Sequence, residues 1–213
     1  KSNLESIYLP KSATKISNYA FGGCIKLSFV SIPDAMTNIA NNAFDQCKSL
    51  TYVRFEDGFN TFDFGTENDC LLLFKDCPVE NLYIGRNISF VGSSPFKNKG
   101  TLSSVTIGDL VSTISPSTFY GCIGLTSVEI GKLVQSIGAS AFYDCRKLTS
   151  LILGNSVNEI NDYAFYNCKA LTELSIHDNV KTIGKYAFGQ CENIESLSLG
   201  NSLQKIDNYA FSN

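Results

Sequence analysis

The sequence predicts a repeat solenoid of about nine coils, each near 23 residues, folded as one domain over residues 1–213. Three observations point to it. An aromatic anchor recurs at Phe21, Phe44, Phe74, Phe96, Phe119, Phe142, Phe165, Phe188 and Phe211, with gaps of 23, 30 and 22 residues and then 23 throughout. An L-x-x-L-x-L run opens every unit, from Leu4/Ile7/Leu9 through Leu125/Val128/Ile130 to Ile194/Leu197/Leu199. Between the two lies V-x-x-I, as in Val157/Ile160 and Val180/Ile183. One such unit cannot bury its own apolar side, whereas stacked neighbours can.

Each part of the unit has a physical reading. The L-x-L alternation makes a short strand with one buried face. A cluster such as Gly154-Asn155-Ser156 then turns the chain, and V-x-x-I supplies a second inward edge. The A-F-x-x-C segment is short enough for one helical or 3₁₀ turn before the next strand. Parallel strands then stack ~4.8 Å apart, so nine coils span roughly 40 Å. Residues 63–78 break the period and read as an irregular insertion in the third coil.

Cys24, Cys47, Cys77, Cys122, Cys145, Cys168 and Cys191 each follow the repeat Phe by three positions, and Lys99 takes the remaining slot. Positions i and i+3 of a helical turn share a face, so the thiols are expected inside, as small hydrophobes beside the rings. Each buried Phe contributes about 2–3 kcal/mol of transfer energy, so the aromatic row outweighs the thiol row. Disulfides between coils fit the spacing but need converging Cβ vectors, and side chains in a ladder run parallel. Zinc needs ligand pairs such as C-x-x-C, and none occurs. The thiols are therefore expected to be free fillers of space, with no metal and no cofactor. Cys70 alone lies off the column, seven residues before Cys77; a local bridge and a further buried thiol are both open there.

Several function classes lack their chemistry. A net charge of −3 gives no basic field for nucleic acid. No run of 18 apolar residues would cross a membrane. Asp63-Phe64-Gly65 spells a kinase tripeptide without its glycine-rich loop or H-R-D partner. His177 is the only histidine and reads as an ordinary exposed imidazole. Asp63, Glu67 and Asp69 lack the spacing of a calcium loop and read as solvated charges. Asn87-Ile88-Ser89 is a glycosylation sequon. No enzyme is expected. Lys1 rather than Met opens the chain and Ser212-Asn213 stops within a unit, so the sequence reads as a trimmed piece of a larger protein.

In L-x-x-L-x-L the third and fifth positions should face away from the core. These rows differ along the chain. The first four coils place Tyr8, Phe29, Tyr52, Arg54 and Tyr83 there, while Ser and Thr dominate afterwards. Exposed aromatics with Arg dominate the energetics of protein interfaces, so these five are the candidate contact patch. The alternatives are that aromatic pairs only stabilise the sheet, or that flanking protein covers them. Two more rows, Tyr120/Tyr143/Tyr166 and Tyr163/Tyr186/Tyr209, read as packing ladders, although flat aromatic rows also suit glycans.

The unit, written out in "LTSVEIGKLVQSIGASAFYDC" at 125–145, resembles the BspA-type leucine-rich repeat over essentially the whole chain. The resemblance implies a right-handed, curved superhelix with its parallel sheet on the concave face. It also implies a surface-exposed or secreted protein of bacteria or some protozoa, a group in which several members are adhesins for host matrix proteins, other bacteria or host receptors. On that basis the expected function is a non-catalytic cell-surface or secreted module that binds a protein ligand. A carbohydrate-binding module and a structural spacer are the alternatives.

Overall fold

The computed structural model describes residues 3–65 and 72–213; Cys70, for which a bridge and a further buried thiol were both open, and Glu67 and Asp69, read as solvated loop charges, lie outside the described residues. Each coil contributes a longer and a shorter strand. The first three coils hold β1 (Ser6–Tyr8), β2 (Lys15–Ile16), β3 (Phe29–Ile32), β4 (Asn38–Ile39), β5 (Tyr52–Phe55) and β6 (Phe62–Asp63). The next three hold β7 (Asn81–Ile84), β8 (Ile88–Ser89), β9 (Ser104–Ile107), β10 (Thr113–Ile114), β11 (Ser127–Ile130) and β12 (Ser136–Ile137). The last hold β13 (Ser150–Ile152), β14 (Glu159–Ile160), β15 (Glu173–Ser175), β16 (Thr182–Ile183), β17 (Ser196–Ser198) and β18 (Lys205–Ile206). The described residues thus form the expected parallel β-solenoid, its nine pairs of strands making about eight complete turns of roughly 23 residues each.

The L-x-L strands pair in parallel in the order β1-β3-β5-β7-β9-β11-β13, and β15 with β17 continues that face. Identical repeat positions stand opposite one another, for example Ser127 beside Ser104 and Ser150. The V-x-x-I strands form a second ladder, β10-β12-β14-β16-β18, with the pairs β2–β4 and β6–β8 before it. Between the sheets lies one continuous core. Its axis is a column of nine phenyl rings at the predicted positions, with neighbouring centroids 5.0–6.1 Å apart and planes within 24° of parallel.

The A-F-x-x-C segment corrects one expectation. Among the described residues it is not a helix; no helix occurs, and none is therefore long and apolar enough to cross a membrane. The segment is a run of tight turns with left-handed residues two before and two after the Phe, such as Ser140 (φ 55°) and Asp144 (φ 63°). The reason is inter-coil bonding. Ser140, Phe142 and Asp144 donate their N–H groups to Asp162, Ala164 and Tyr166 of the next coil, while the carbonyls of Ala139, Ala141 and Tyr143 accept from the coil before. Three peptide units per coil therefore point the same way along the axis, unlike the alternating units of a β-strand. Gly, Asn and Asp tolerate the left-handed region. Tyr163, Tyr186 and Tyr209 do not, and their rings stack at 4.9–5.2 Å, which offsets the strain.

The irregular third coil supplies its own packing. Phe55, Phe62 and Phe64 pack edge-on or tilted against one another at 4.7–5.6 Å, and Phe64 meets Phe96 of the main column at 5.8 Å. Arg86, in the shortened turn of the fourth coil, is fully buried. Its Nη1 donates to the backbone oxygen of Asp34 and, at 3.4 Å, to that of Met36, and its Nη2 donates to Pro33 O at 3.0 Å. One side chain thereby ties the fourth coil to the second across the irregular one. Where the second ladder is interrupted, the Asn87 amide substitutes for it, accepting from Ser112 N and donating to Ser112 Oγ, both at 3.0 Å. The sequon asparagine is thus already engaged.

Candidate functional site

Strand alternation places the predicted residues as expected. In β11 Val128 and Ile130 are buried, while Ser127 is half-buried and Glu129 exposed. The five candidates fall into two contact groups on the same outer face. Tyr8, 76 % exposed, lies 5.0 Å from Phe29 with planes at 49°, and Phe29 lies 5.2 Å from Tyr52 at 69°. Beyond them the Arg54 guanidinium sits 3.8 Å over the Tyr83 ring. Its Nη2 also meets Asp57 Oδ2 at 3.0 Å, and Tyr83 Oη donates to Asp57 Oδ1. Burial and the Asp57 hydrogen bond push the Tyr83 hydroxyl up to about 12, so it stays protonated as a donor.

Two acidic residues complete the face, and motif reading alone did not single them out. Asp57 neutralises Arg54. Glu56 occupies the outward position after β5, in the column that elsewhere holds Pro33, Gly85, Gly108, Gly131 and Gly154. Its Oε1 accepts from Ser31 Oγ at 2.7 Å, and Ser31 stands in register between Tyr8 and Arg54. Ser31, assigned outward from the alternation, is only 2 % exposed because the surrounding side chains cover it. The signal for Glu56 was present as the one carboxylate in a column that is otherwise Gly and Pro apart from His177.

The glycines of that column are required by close approach. A Cβ on Gly131 would lie 2.3 Å from Gly108 O, and one on Gly154 would lie 1.9 Å from Gly131 O. They floor an open groove of about 570 Å³ that runs from Tyr83 and Asp57 past Glu129 to Ile152. A second, of about 300 Å³, lies farther along the same face around Glu173, Ser150 and Ser198. His177 takes the next place in the glycine column. Contrary to the expected exposed imidazole, it is half-buried: Nε2–H donates to Gly154 O at 2.7 Å, and Nδ1 accepts from Asn179 N at 3.3 Å.

The thiols are inside and free, but they are more than filler. Cys122 Sγ donates to Phe96 O at 3.0 Å, and Cys47, Cys77, Cys145, Cys168 and Cys191 do the same to the Phe carbonyl of their preceding coils at 3.2–3.4 Å. Lys99, the one exception in the column, donates its Nζ to Phe74 O. The slot selects a donor. Burial pushes the Cys47 thiol up to about 11 and those of Cys77 and Cys122 to about 12, so they are not thiolates at neutral pH. Cys77 is itself a free thiol. Among the described residues no group of three or more His, Cys, Asp or Glu is placed to hold a metal. Asp63 Oδ1 accepts from Gly65 N at 2.9 Å in a local turn.

The tyrosine rows stack as expected. Tyr120, Tyr143 and Tyr166 lie 4.7 and 4.9 Å apart with planes within 19°. Face-to-face stacking spends the ring faces within the row, and sugar stacking needs such a face.

The comparisons agree with this architecture. The BspA type leucine-rich repeat region matches residues 1–122 and 112–213, in six copies. A leucine-rich repeat protein of Bacteroides ovatus is 27% identical with a TM-score of 0.59, covering 95% of this chain and 56% of its own. A leucine-rich repeat protein of Eubacterium ventriosum is 21% identical with a TM-score of 0.53, over 98% and 42%. A leucine rich cell surface protein of Faecalibacterium prausnitzii is 21% identical with a TM-score of 0.51, over 99% and 76%. The chain spans about half the length of the first two. No curated protein matches it. With its repeat matched from end to end, the chain belongs to the BspA-type leucine-rich repeat family, whose fold is a general scaffold for protein interaction.

Proposed function

We propose that this chain is a non-catalytic recognition module of a cell-surface or secreted protein, and that its protein ligand docks on the outer face of the first four coils. Host matrix or another cell-surface protein is the ligand class that the family resemblance favours. One observation carries the choice of face. Tyr8, Phe29 and Tyr52 form a contiguous run of tilted rings, followed by the Arg54–Tyr83 pair, on a sheet whose later coils present mainly Ser and Thr. Tilted contacts leave ring faces open, and such rings with Arg are the side chains that anchor protein interfaces. Support for a surface location comes from the family and from the F. prausnitzii relative described as a cell surface protein. The glycan alternative has less support, because the long tyrosine rows are stacked face to face.

The test is a variant with Tyr8, Tyr52 and Tyr83 replaced by Ser, assayed against a panel of extracellular-matrix and cell-surface proteins that the parent chain binds. Binding is expected to be lost, with little change in melting temperature. Full retention of binding removes the patch as the site.

A further inference from the structure

The outer face of the long sheet carries an unbalanced charge pattern, and resting on the protein-recognition reading above, it names the chemistry of the ligand. Over the third and fifth outward rows of all nine coils the only cation is Arg54, already neutralised by Asp57 and seated on Tyr83. In the neighbouring groove Lys132 is neutralised by Asp109 at 2.8 Å. Three carboxylates remain. Glu56 is held by Ser31, the residue in register with Tyr8, and acts on the buried Arg86 through its charge without pairing with it; Glu129 lies in the groove beyond Tyr83, and Glu173 lies in the second groove. Glu129 and Glu173 are exposed, and among the described residues none of the three is in an ion pair. The rings add negative faces. The cations that lie over rings in this structure serve Tyr83, Phe62, Tyr120 and Tyr186, so among the described residues Tyr8, Phe29 and Tyr52 have none.

We infer that the ligand is a basic protein segment laid across the strands. Its first Arg or Lys rests on the Tyr8–Phe29–Tyr52 rings facing Glu56, and further cations reach Glu129 and Glu173. At ~4.8 Å per coil, the three carboxylates are spaced about 14 Å and then about 10 Å apart along the axis. An extended chain covers that span in a few residues per interval. Charge complementarity of this kind sets partner choice and approach rate, and exposed rings gain from a cation placed over their faces.

The experiment uses the intact chain and three labelled peptides alternating Leu with Arg, Gln or Glu, followed by fluorescence anisotropy at low and physiological salt. The Arg peptide is expected to bind, more weakly as salt rises, with the Gln peptide about tenfold weaker and the Glu peptide silent. A Glu56→Gln/Glu129→Gln/Glu173→Gln variant keeps the Ser31 hydrogen bond and the fold, and is expected to lose about tenfold for the Arg peptide. Equal binding of all three peptides, no binding of the Arg peptide, or an unaffected Gln variant overturns the inference. If a protein ligand is lost in the tyrosine variant but kept in the Gln variant, the basic-segment inference fails while the recognition face stands. Retention in the tyrosine variant removes the face itself.

Discussion

Cys145 is the place to decide whether the thiol column fills space or donates. Its side chain is fully buried, and its Sγ lies 3.4 Å from Phe119 O, which also accepts from Cys122 N at 3.2 Å. Cys145→Ala removes both sulfur and donor. The lost burial and residual void cost about 1 kcal/mol, and the weak S–H bond adds about 0.5–1 kcal/mol, for about 2 kcal/mol in all. Cys145→Ser shrinks the side chain but keeps a donor aimed at the same carbonyl, and should cost about 1 kcal/mol. Were the slot purely apolar, the hydroxyl would be a buried group without a partner, costing about 1–3 kcal/mol more than Ala. The order of the two variants is therefore diagnostic. Urea midpoints, followed by circular dichroism at unchanged slope, give that order. A Ser variant less stable than the Ala variant refutes the donor role, whatever the absolute values.

Three further expectations rest on the same contacts. Arg86→Ala should cost about 3–5 kcal/mol, because the Pro33, Asp34 and Met36 contacts lose a buried partner, and Arg86→Lys should not rescue it since a compact ammonium cannot span the same oxygens; a loss below about 1 kcal/mol in urea unfolding would show that the second and fourth coils hold without it. Gly154→Ala should cost about 2–3 kcal/mol, because the new methyl meets Gly131 O, and a neutral thermal melt would refute the close approach. Stability should fall as pH rises above the ordinary thiol value of 9.0. Unfolded cysteines ionise there, while Cys47 holds its proton to about 11 and Cys77 and Cys122 hold theirs to about 12, so the folded chain binds more protons. The slope is about 1.4 kcal/mol per pH unit for each thiol between those limits. Lys99 works the other way, since burial lowers its value from 10.5 and stability rises with pH towards that point; Lys99→Cys should steepen the fall. Urea midpoints at pH 7 and pH 10 measure both, and a flat profile would contradict the buried protonated thiols.

The period of the sequence was sufficient for the coil length, the nine-ring Phe column, the inward thiols and the outward rows holding Tyr8, Phe29, Tyr52, Arg54 and Tyr83. Such features are legible because burial repeats with the coil, and a repeated environment leaves a repeated residue. The turn conformation of A-F-x-x-C was not legible, since its left-handed residues answer to hydrogen bonds about 22 residues away rather than to neighbours within the turn. The same holds for Arg86 reaching back 50–53 residues, for Glu56 meeting Ser31 across 25, and for His177 closing the glycine column against Gly154 across 23. Local pattern determined which face each side chain takes. Which partner it meets on that face was decided only when the coils stacked, because stacking alone brings residues a full turn or two apart within bonding distance.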